Sequence, residues 1–567
     1  MTRGTGTLER AKGRQRRGRG AGSEAADERS AHALRDDALI VGGLVLLHLV
    51  LAALAFDPTP HTGGDNAGYI ALARGLLEQG AYLDLWRPDE AVHTKYPPFF
   101  PAALSVGMLL GLEAWAGLKL VVVAFSVVAV AATYLWLRRR HGIGFAAGVT
   151  IVVAASPGVL HLSHWILSDV PFWALTVLAL WAFERLEPER RGPFALALAA
   201  TALAYLTRSA GLPLVVAAAG WLALERRWRP LLALGAVLAP VVVGWMLWGR
   251  VHGGTSYFDE FLAVNPYAPA LGGIGPLDVF GRIADNAGRY LGTHLPRMLM
   301  GYDGEPVLAV GVLVAGLGVA GWALRLRAGR TAVAELFFPL YLGLLLLWPA
   351  VWAGDRFLLP LLPLIVAYAA EAVLAAVRRA SPGAVRGAAI GVLAVALLAM
   401  APGVSALARQ GSACTRLYLT GERYPCMAPA WVEFFAMAEW SGDALPEGAA
   451  VLSRKPRLFW AASGGLPGDI YPSSEEPAEF FAYAREIGAR HLAISAIDNL
   501  WGLYVAPAIR SRPDRFCVVR SLGADRATVF GIHPDDGAAG ADGRSTAEAG
   551  EAALGPCPAE FLGRGVR

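Results

Sequence analysis

The chain has 567 residues, 55% of them hydrophobic and 17% charged, with a mean hydropathy of +0.45. That is too apolar for a soluble globular protein. The net charge of +4 gathers in short clusters between apolar runs, which reads as a membrane topology signal and excludes a nucleic-acid partner.

Residues 1–36 are rich in Arg and Gly and have no apolar face, so a disordered basic cytoplasmic tail is expected. The run Asp37–Phe56 has about the 20 residues needed to cross a hydrocarbon core. The sequence Phe56-Asp57-Pro58-Thr59-Pro60 after it is no small-residue cleavage site, so this is a retained first helix. Ten further spans are expected near 116–137, 143–162, 169–186, 193–207, 211–225, 230–249, 305–324, 332–352, 356–376 and 386–406. With eleven spans, Arg138–Arg140, Arg190-Arg191, Arg226–Arg229, Arg325–Arg330 and Arg378–Arg386 all fall on the cytoplasmic side of a plasma (inner) membrane. Loops 57–115 and 251–304 and the tail from 407 then lie outside. The segment Pro98–Leu112 competes with this count, since a crossing there would turn every later basic loop outward. It is short and opened by prolines, so it is read as a helix in the outer interface, as is Asn66–Glu78.

After 406 the pattern changes. Short apolar runs at Ala450–Ser453, His491–Ser495, Phe516–Val519 and Thr528–Ile532 flank a helical Pro477–Gly488, which suggests a small extracytoplasmic α/β domain over 407–535. Residues 536–567 are expected to be disordered. Cys414, Cys426, Cys517 and Cys557 all lie in this tail without metal spacing. They allow two disulfides, with Cys414–Cys426 the easiest local pair, or four free buried thiols. There is no internal repeat and no Gly-rich phosphate loop, which speaks against a nucleotide-driven pump.

The topology gathers polar residues at the outer face. Asp65 follows Gly63-Gly64 and precedes a helix, so it reads as an N-cap and as an exposed general base, two roles that are compatible. Asp169, after Ser168 and before Pro171, is likewise a cap or a second acid. Together with His164 or His161, the two carboxylates are the one set that could hold a divalent cation, although no D-x-D pair is present. Lys95, Arg208 and Arg356 stand beside apolar runs on the face that cations normally avoid. They are snorkelling anchors or ligands of a lipid-linked phosphate. His93, Tyr69 and Tyr96 are candidate substrate contacts among the loop aromatics. The loop 251–304 adds Tyr257, Asp259, Glu260, Arg289, Tyr290, His294 and Arg297.

These residues carry a family resemblance. Gly64-Asp65-Asn66-Ala67-Gly68-Tyr69 and the helix after it resemble the first-loop Asp motif of GT-C superfamily membrane glycosyltransferases. These include bacterial family 39, protein O-mannosyltransferases and aminoarabinose transferases. Lys95-Tyr96-Pro97-Pro98 resembles their K/H-x-P-P interfacial helix. Ser168-Asp169-Val170-Pro171-Phe172 resembles the second acidic motif, and Asp355-Arg356-Phe357-Leu358-Leu359-Pro360 the late R-Y-L-L-P helix. Lys119 stands where relatives often have Arg, and no second acid accompanies Asp169. The resemblance implies a polytopic α-helical GT-C fold over 37–406 and inverting transfer of a sugar from a polyprenyl- or dolichyl-phosphate donor. It implies Asp65 as base and no certain cofactor, with a lipid, glycan or protein as acceptor. The rival readings are a lipid-linked sugar flippase or transporter, and a non-catalytic envelope protein whose tail binds a glycan.

Overall fold

The computed structural model describes residues 35–187, 191–254, 257–266, 271–302, 305, 307–523, 527–533 and 554–563, without the side chains of Tyr257, Phe258 and Asp259. The readings of Tyr257 and Asp259 and most of the expected tail at 1–36 lie outside what is described. A helix stands at each of the eleven expected span positions. Five of them, Arg35–Ala55, Trp115–Arg140, Trp228–Val251, Leu308–Arg327 and Pro382–Leu419, are long and apolar enough to cross a membrane. The others are shorter. The expected span 143–162 breaks before Pro157 into two helices, Ile143–Ala154 and Pro157–Leu162, with the proline in the first turn of the second, where its missing N–H costs nothing.

Contacts between the first helix and Trp115–Arg140 settle how loop 57–115 is disposed. Asp37 binds Tyr134 and Arg138 at 2.6 and 2.9 Å. His48 meets Ser126 at 2.9 Å. The Lys119 ammonium donates to the carbonyls of Asp57 and Thr59 at 2.6 and 2.5 Å. As one helix ascends in number the other descends, so the two are antiparallel and the loop begins and ends at one end of the bundle. Phe99–Leu109, a helix of 11 residues, therefore does not cross. It buries Phe100, Leu104 and Met108, and its exposed Val106, Leu109 and Leu110 are apolar too, so its outer side suits contact with lipid.

At the opposite end, the loops rich in arginine converge. Arg140 pairs with Glu335 through two 2.8 Å bonds and with Glu184 at 2.7 Å. Arg325 reaches Glu335 at 2.8 Å and Glu371 at 3.1 Å. Between the ends, Leu308–Arg327 lies close on Leu362–Ala380. A methyl group added at Gly321 would sit 1.9 Å from the Tyr368 carbonyl, so only glycine permits this approach.

The last long helix, Val385–Leu419, runs unbroken past the domain boundary expected at 406. Beyond it lies a five-stranded sheet: β1 (Val451–Ser453), β2 (Gly468–Asp469), β3 (His491–Ser495), β4 (Phe516–Leu522) and β5 (Ala527–Ile532). The strand order is β2-β1-β3-β5-β4, with β2, β1 and β3 parallel and β5 antiparallel to β3 and β4. Both disulfides form, Cys414–Cys426 and Cys517–Cys557, and there are no free cysteines among the described residues. The second corrects one expectation. Residues 554–563 are not a loose tail but pack on the sheet, because Cys557 is tied to β4 and the Phe561 ring is buried.

Candidate active site

At the end of the bundle away from the arginine-rich loops, the helix Gly64–Arg74 lies under the α/β domain. Its N-cap is Gly63, and Asp65 makes no capping bond. The capping reading of Asp65 is therefore corrected. Its carboxylate, 38% exposed, turns toward three other elements. Oδ1 accepts from the Tyr96 hydroxyl at 2.8 Å and lies 3.7 Å from Arg457. Oδ2 faces both Arg356 Nη atoms at 3.4 Å. Burial opposes charge on Asp65, but the two guanidiniums and the Tyr96 hydroxyl outweigh it and hold the carboxyl below its usual range. Burial and, with it, the Asp65 carboxylate push the Tyr96 hydroxyl up against the pull of Arg457, so it stays a donor.

Directly behind lies a second, tighter cluster. Asp169 is the first residue of Asp169–Phe183 and makes no cap; Oδ1 binds Arg208 at 2.7 Å. Arg208 also donates to Ser168 Oγ at 3.1 Å, and Ser168 meets the Tyr69 hydroxyl at 2.8 Å. Burial pushes the Tyr69 hydroxyl up to about 12. The clusters touch through aromatic packing. Tyr69 and Tyr96 rings lie 4.8 Å apart, and the Arg208 and Arg356 guanidiniums cover the Phe357 ring at 5.1 and 5.0 Å.

Asp355, although next to Arg356 in sequence, does not orient its guanidinium. Asp355 accepts from the Arg356 backbone N–H at 2.9 Å and from the Tyr302 hydroxyl, which leaves the guanidinium free to face Asp65. Lys95 stands further off, bound to Glu260 at 2.9 Å and lying over Trp352. His93, expected to touch substrate, is buried with both ring nitrogens engaged. Its Nε2 accepts the Tyr96 N–H at 2.8 Å, so Nδ1 carries the proton and donates to Asp84 at 2.9 Å. Burial lowers its pKa, consistent with a neutral ring that serves as a strut under Tyr96.

Arg457 escaped the sequence reading. It opens the helix Pro456–Ala462 just after β1, in the domain read as separate. Its guanidinium donates to the Tyr96 hydroxyl at 3.1 Å and lies 4.9 Å over the Trp86 ring. Domain and loop are joined by a hydrogen bond from Gly468 N–H to the Trp86 carbonyl at 2.9 Å. Trp460 packs on Ala71, Leu85 and Trp86. A signal was present: the basic run Arg454-Lys455-Pro456-Arg457 follows directly on an apolar strand, with Pro at a helix start.

Residues 95–248 match the family model of dolichyl-phosphate-mannose-protein mannosyltransferases. ArnT from Cupriavidus metallidurans bound to undecaprenyl phosphate superposes with a TM-score of 0.54 at 15% identity, over 87% of this chain and 97% of that one. The chain carries the GT-C fold. AglB, the oligosaccharyltransferase of Archaeoglobus fulgidus, shares that GT-C architecture. Its complex with an inhibitory peptide and a dolichol-phosphate gives 0.51 at 14% identity, over 88% and 75% of the two chains. Its complex with Zn and sulfate gives 0.52 at 14%, over 86% and 73%. No curated protein sequence matches the chain.

The one cation set considered from the sequence, Asp65, Asp169 and His164, does not fit a metal. Asp65 and Asp169 each face arginine, so a cation there would meet positive charge. His164 is buried against Phe56 and His161. Among the described residues, no three His, Cys, Asp or Glu side chains converge.

Proposed function

We propose that the protein is a membrane glycosyltransferase moving a sugar from a polyprenyl-phosphate-linked donor to an acceptor hydroxyl outside the plasma (inner) membrane. The observation that carries this reading is the half-exposed Asp65 carboxylate held loosely between arginines at the mouth of a GT-C fold. Asp65 takes the acceptor proton as the hydroxyl oxygen attacks the anomeric carbon. The bond from that carbon to the phosphate oxygen breaks, and the lipid phosphate leaves with the electron pair. Asp169 is buried and bound to Arg208, which leaves the half-exposed Asp65 as the carboxylate that serves the reaction and suits one inverting displacement. Arg356 is the foremost phosphate ligand, because contacts of 3.4 Å to Asp65 release it readily and a guanidinium grips phosphate through two bonds. Lys95 and Arg208 add positive charge around it while each stays bound to a carboxylate. Positioning and charge stabilisation supply most of the rate. Two disulfides in the tail support an oxidising, extracytoplasmic location for this face and a cytoplasmic N-terminus.

The test incubates purified protein with lipid-linked sugars extracted from membranes and follows lipid and glycan products by mass spectrometry. Transfer by the wild type and none by Asp65→Asn is expected. Passage of the lipid across vesicles without transfer would favour the flippase reading instead.

A further inference from the structure

We infer that Arg457 of the α/β domain is the positioning residue that holds Tyr96 and Asp65 in working geometry, so the site is complete only with that domain docked. The inference rests on the proposed role of Asp65 as base.

Four observations carry it. The sheet order β2-β1-β3-β5-β4 places a topological switch point between β1 and β3, because the chain leaves β1 toward β2 on one side and leaves β3 toward β4 on the other. Open α/β sheets present their functional loops at the carboxyl ends of strands at such a point. The loop there is Arg454–Arg457, and Arg454 pins it to the loop after β3 through Asp498 at 2.7 Å. Second, the crevice outside these strand ends is filled by the helix carrying Asp65. Ala67 of that helix belongs to the apolar core of the α/β domain. Third, the helix is shaped for the arginine. A methyl group on Gly68 would meet Arg457 Cδ and Nη1 at 3.3 Å. Fourth, Arg457 is preorganised, its guanidinium lying 4.9 Å from the Trp86 ring and 5.7 Å from that of Tyr96.

The two arginines on Asp65 then have separate tasks. Arg356 sits on the membrane bundle and turns to phosphate when donor arrives. Arg457 stays, keeping the Tyr96 hydroxyl on Oδ1 and a positive charge beside the carboxylate. The other charged or titratable groups around Asp65 are His61 before its helix, Tyr69 on the same helix, Asp355 beside Arg356, and Lys455 beside Arg457. His61 is held neutral at ordinary pH, its pKa lowered to about 3 chiefly by burial. Asp65 is active when ionised, so activity falls as pH drops through its pKa. Loss of Arg457 raises that pKa and moves the fall to higher pH.

The test uses the full chain in detergent with isotope-labelled aspartate. The protonated carboxyl of Asp65 is followed by infrared spectroscopy against pH and assigned by its loss in Asp65→Asn. Arg457→Gln is expected to raise the Asp65 midpoint by about one pH unit, and Arg457→Lys by less. Gly68→Ala, which crowds Arg457 while keeping every charge, is expected to give a smaller rise. An unchanged midpoint in whichever of Arg457→Gln and Gly68→Ala folds overturns the inference. Binding of undecaprenyl phosphate is measured alongside. Arg457→Gln is expected to leave it unchanged, whereas Arg356→Ala weakens it by about tenfold or more. Equal weakening in both would make Arg457 a phosphate ligand and overturn the positioning role. Should the wild type not bind this lipid at all, the donor reading fails, while the infrared shift still decides the role of Arg457.

Discussion

Two clusters of arginine and carboxylate occupy opposite ends of this bundle, and they are built to opposite rules. Around Glu335 every contact is short, the Arg140 side chain is 3% exposed and Glu335 is fully buried. Both Glu335 oxygens are held, by Arg140, Arg325, Tyr368 and the Ala332 N–H. Around Asp65 the arginine contacts lie at 3.4 to 3.7 Å, and the side chains are 24% to 38% exposed. A saturated buried pair locks helices and has nothing to offer a ligand. A loose, half-open one keeps lone pairs and donors ready for an incoming group.

Substitutions can break that contrast from either side. The largest effect is expected from Asp65→Asn, which removes the base and should lower turnover by roughly 10²–10⁴-fold while the melting temperature holds. Turnover near the wild-type rate would remove Asp65 from catalysis. Next comes Glu335→Ala at the other end. It removes the buried carboxylate that Arg140 and Arg325 share, leaving them only Glu184 and Glu371, and should cost about 3–5 kcal/mol of stability. Thermal unfolding reads that loss, and turnover per folded molecule should stay unchanged. Arg356→Ala should lower kcat/KM by the equivalent of about 2–4 kcal/mol, and Arg356→Lys by part of that. Asp355→Ala serves as its control, since Asp355 binds Tyr302 and not the guanidinium. Donor affinity should survive in Asp355→Ala and fall in Arg356→Ala. The smallest effect is expected from Arg87→Ala. Its contact with Asp469 is 3.4 Å and its side chain is 34% exposed, so about 0–1 kcal/mol is at stake. Thermal unfolding checks whether packing of Trp460, rather than this pair, holds the domains together.

Much of the helical layout was legible because hydrocarbon leaves a long uninterrupted record. Asp37–Phe56 and Leu120–Leu137 can be little else, and the charge rule kept Pro98–Leu112 out of the bilayer. Asp65, Tyr96 and Arg356 could be placed at one face for the same reason. What could not be read was which partners they meet there. Arg356 stands next to Asp355 in sequence, yet its side chain faces Asp65, 291 positions away. His93 lies among loop aromatics like a ligand contact, but the hairpin pairing of Leu83 with Val92 folds it inward as a strut. Arg457 was hidden because it comes from another domain, and no periodicity links a soluble strand to a membrane loop. The coarse reading of β1, β3, β4 and β5 followed from short apolar runs set between helical patterns, whereas β2, two residues long, leaves no pattern.

The helix Val385–Leu419 has 35 residues and so spans roughly 52 Å, well beyond a hydrocarbon layer of about 30 Å. Its upper part stands against the end of the first helix, where a methyl on Gly411 would meet the Ala55 backbone at 2.4 Å, and Cys414 is fastened near its tip. It acts as a ruler with a phase. One residue inserted between Gly411 and Cys414 would lift the α/β domain by about 1.5 Å and swing it by about 100°. Seven would nearly restore the heading but leave the domain about 10 Å too high. The number of residues in one membrane helix thereby sets the altitude of an arginine above the bilayer.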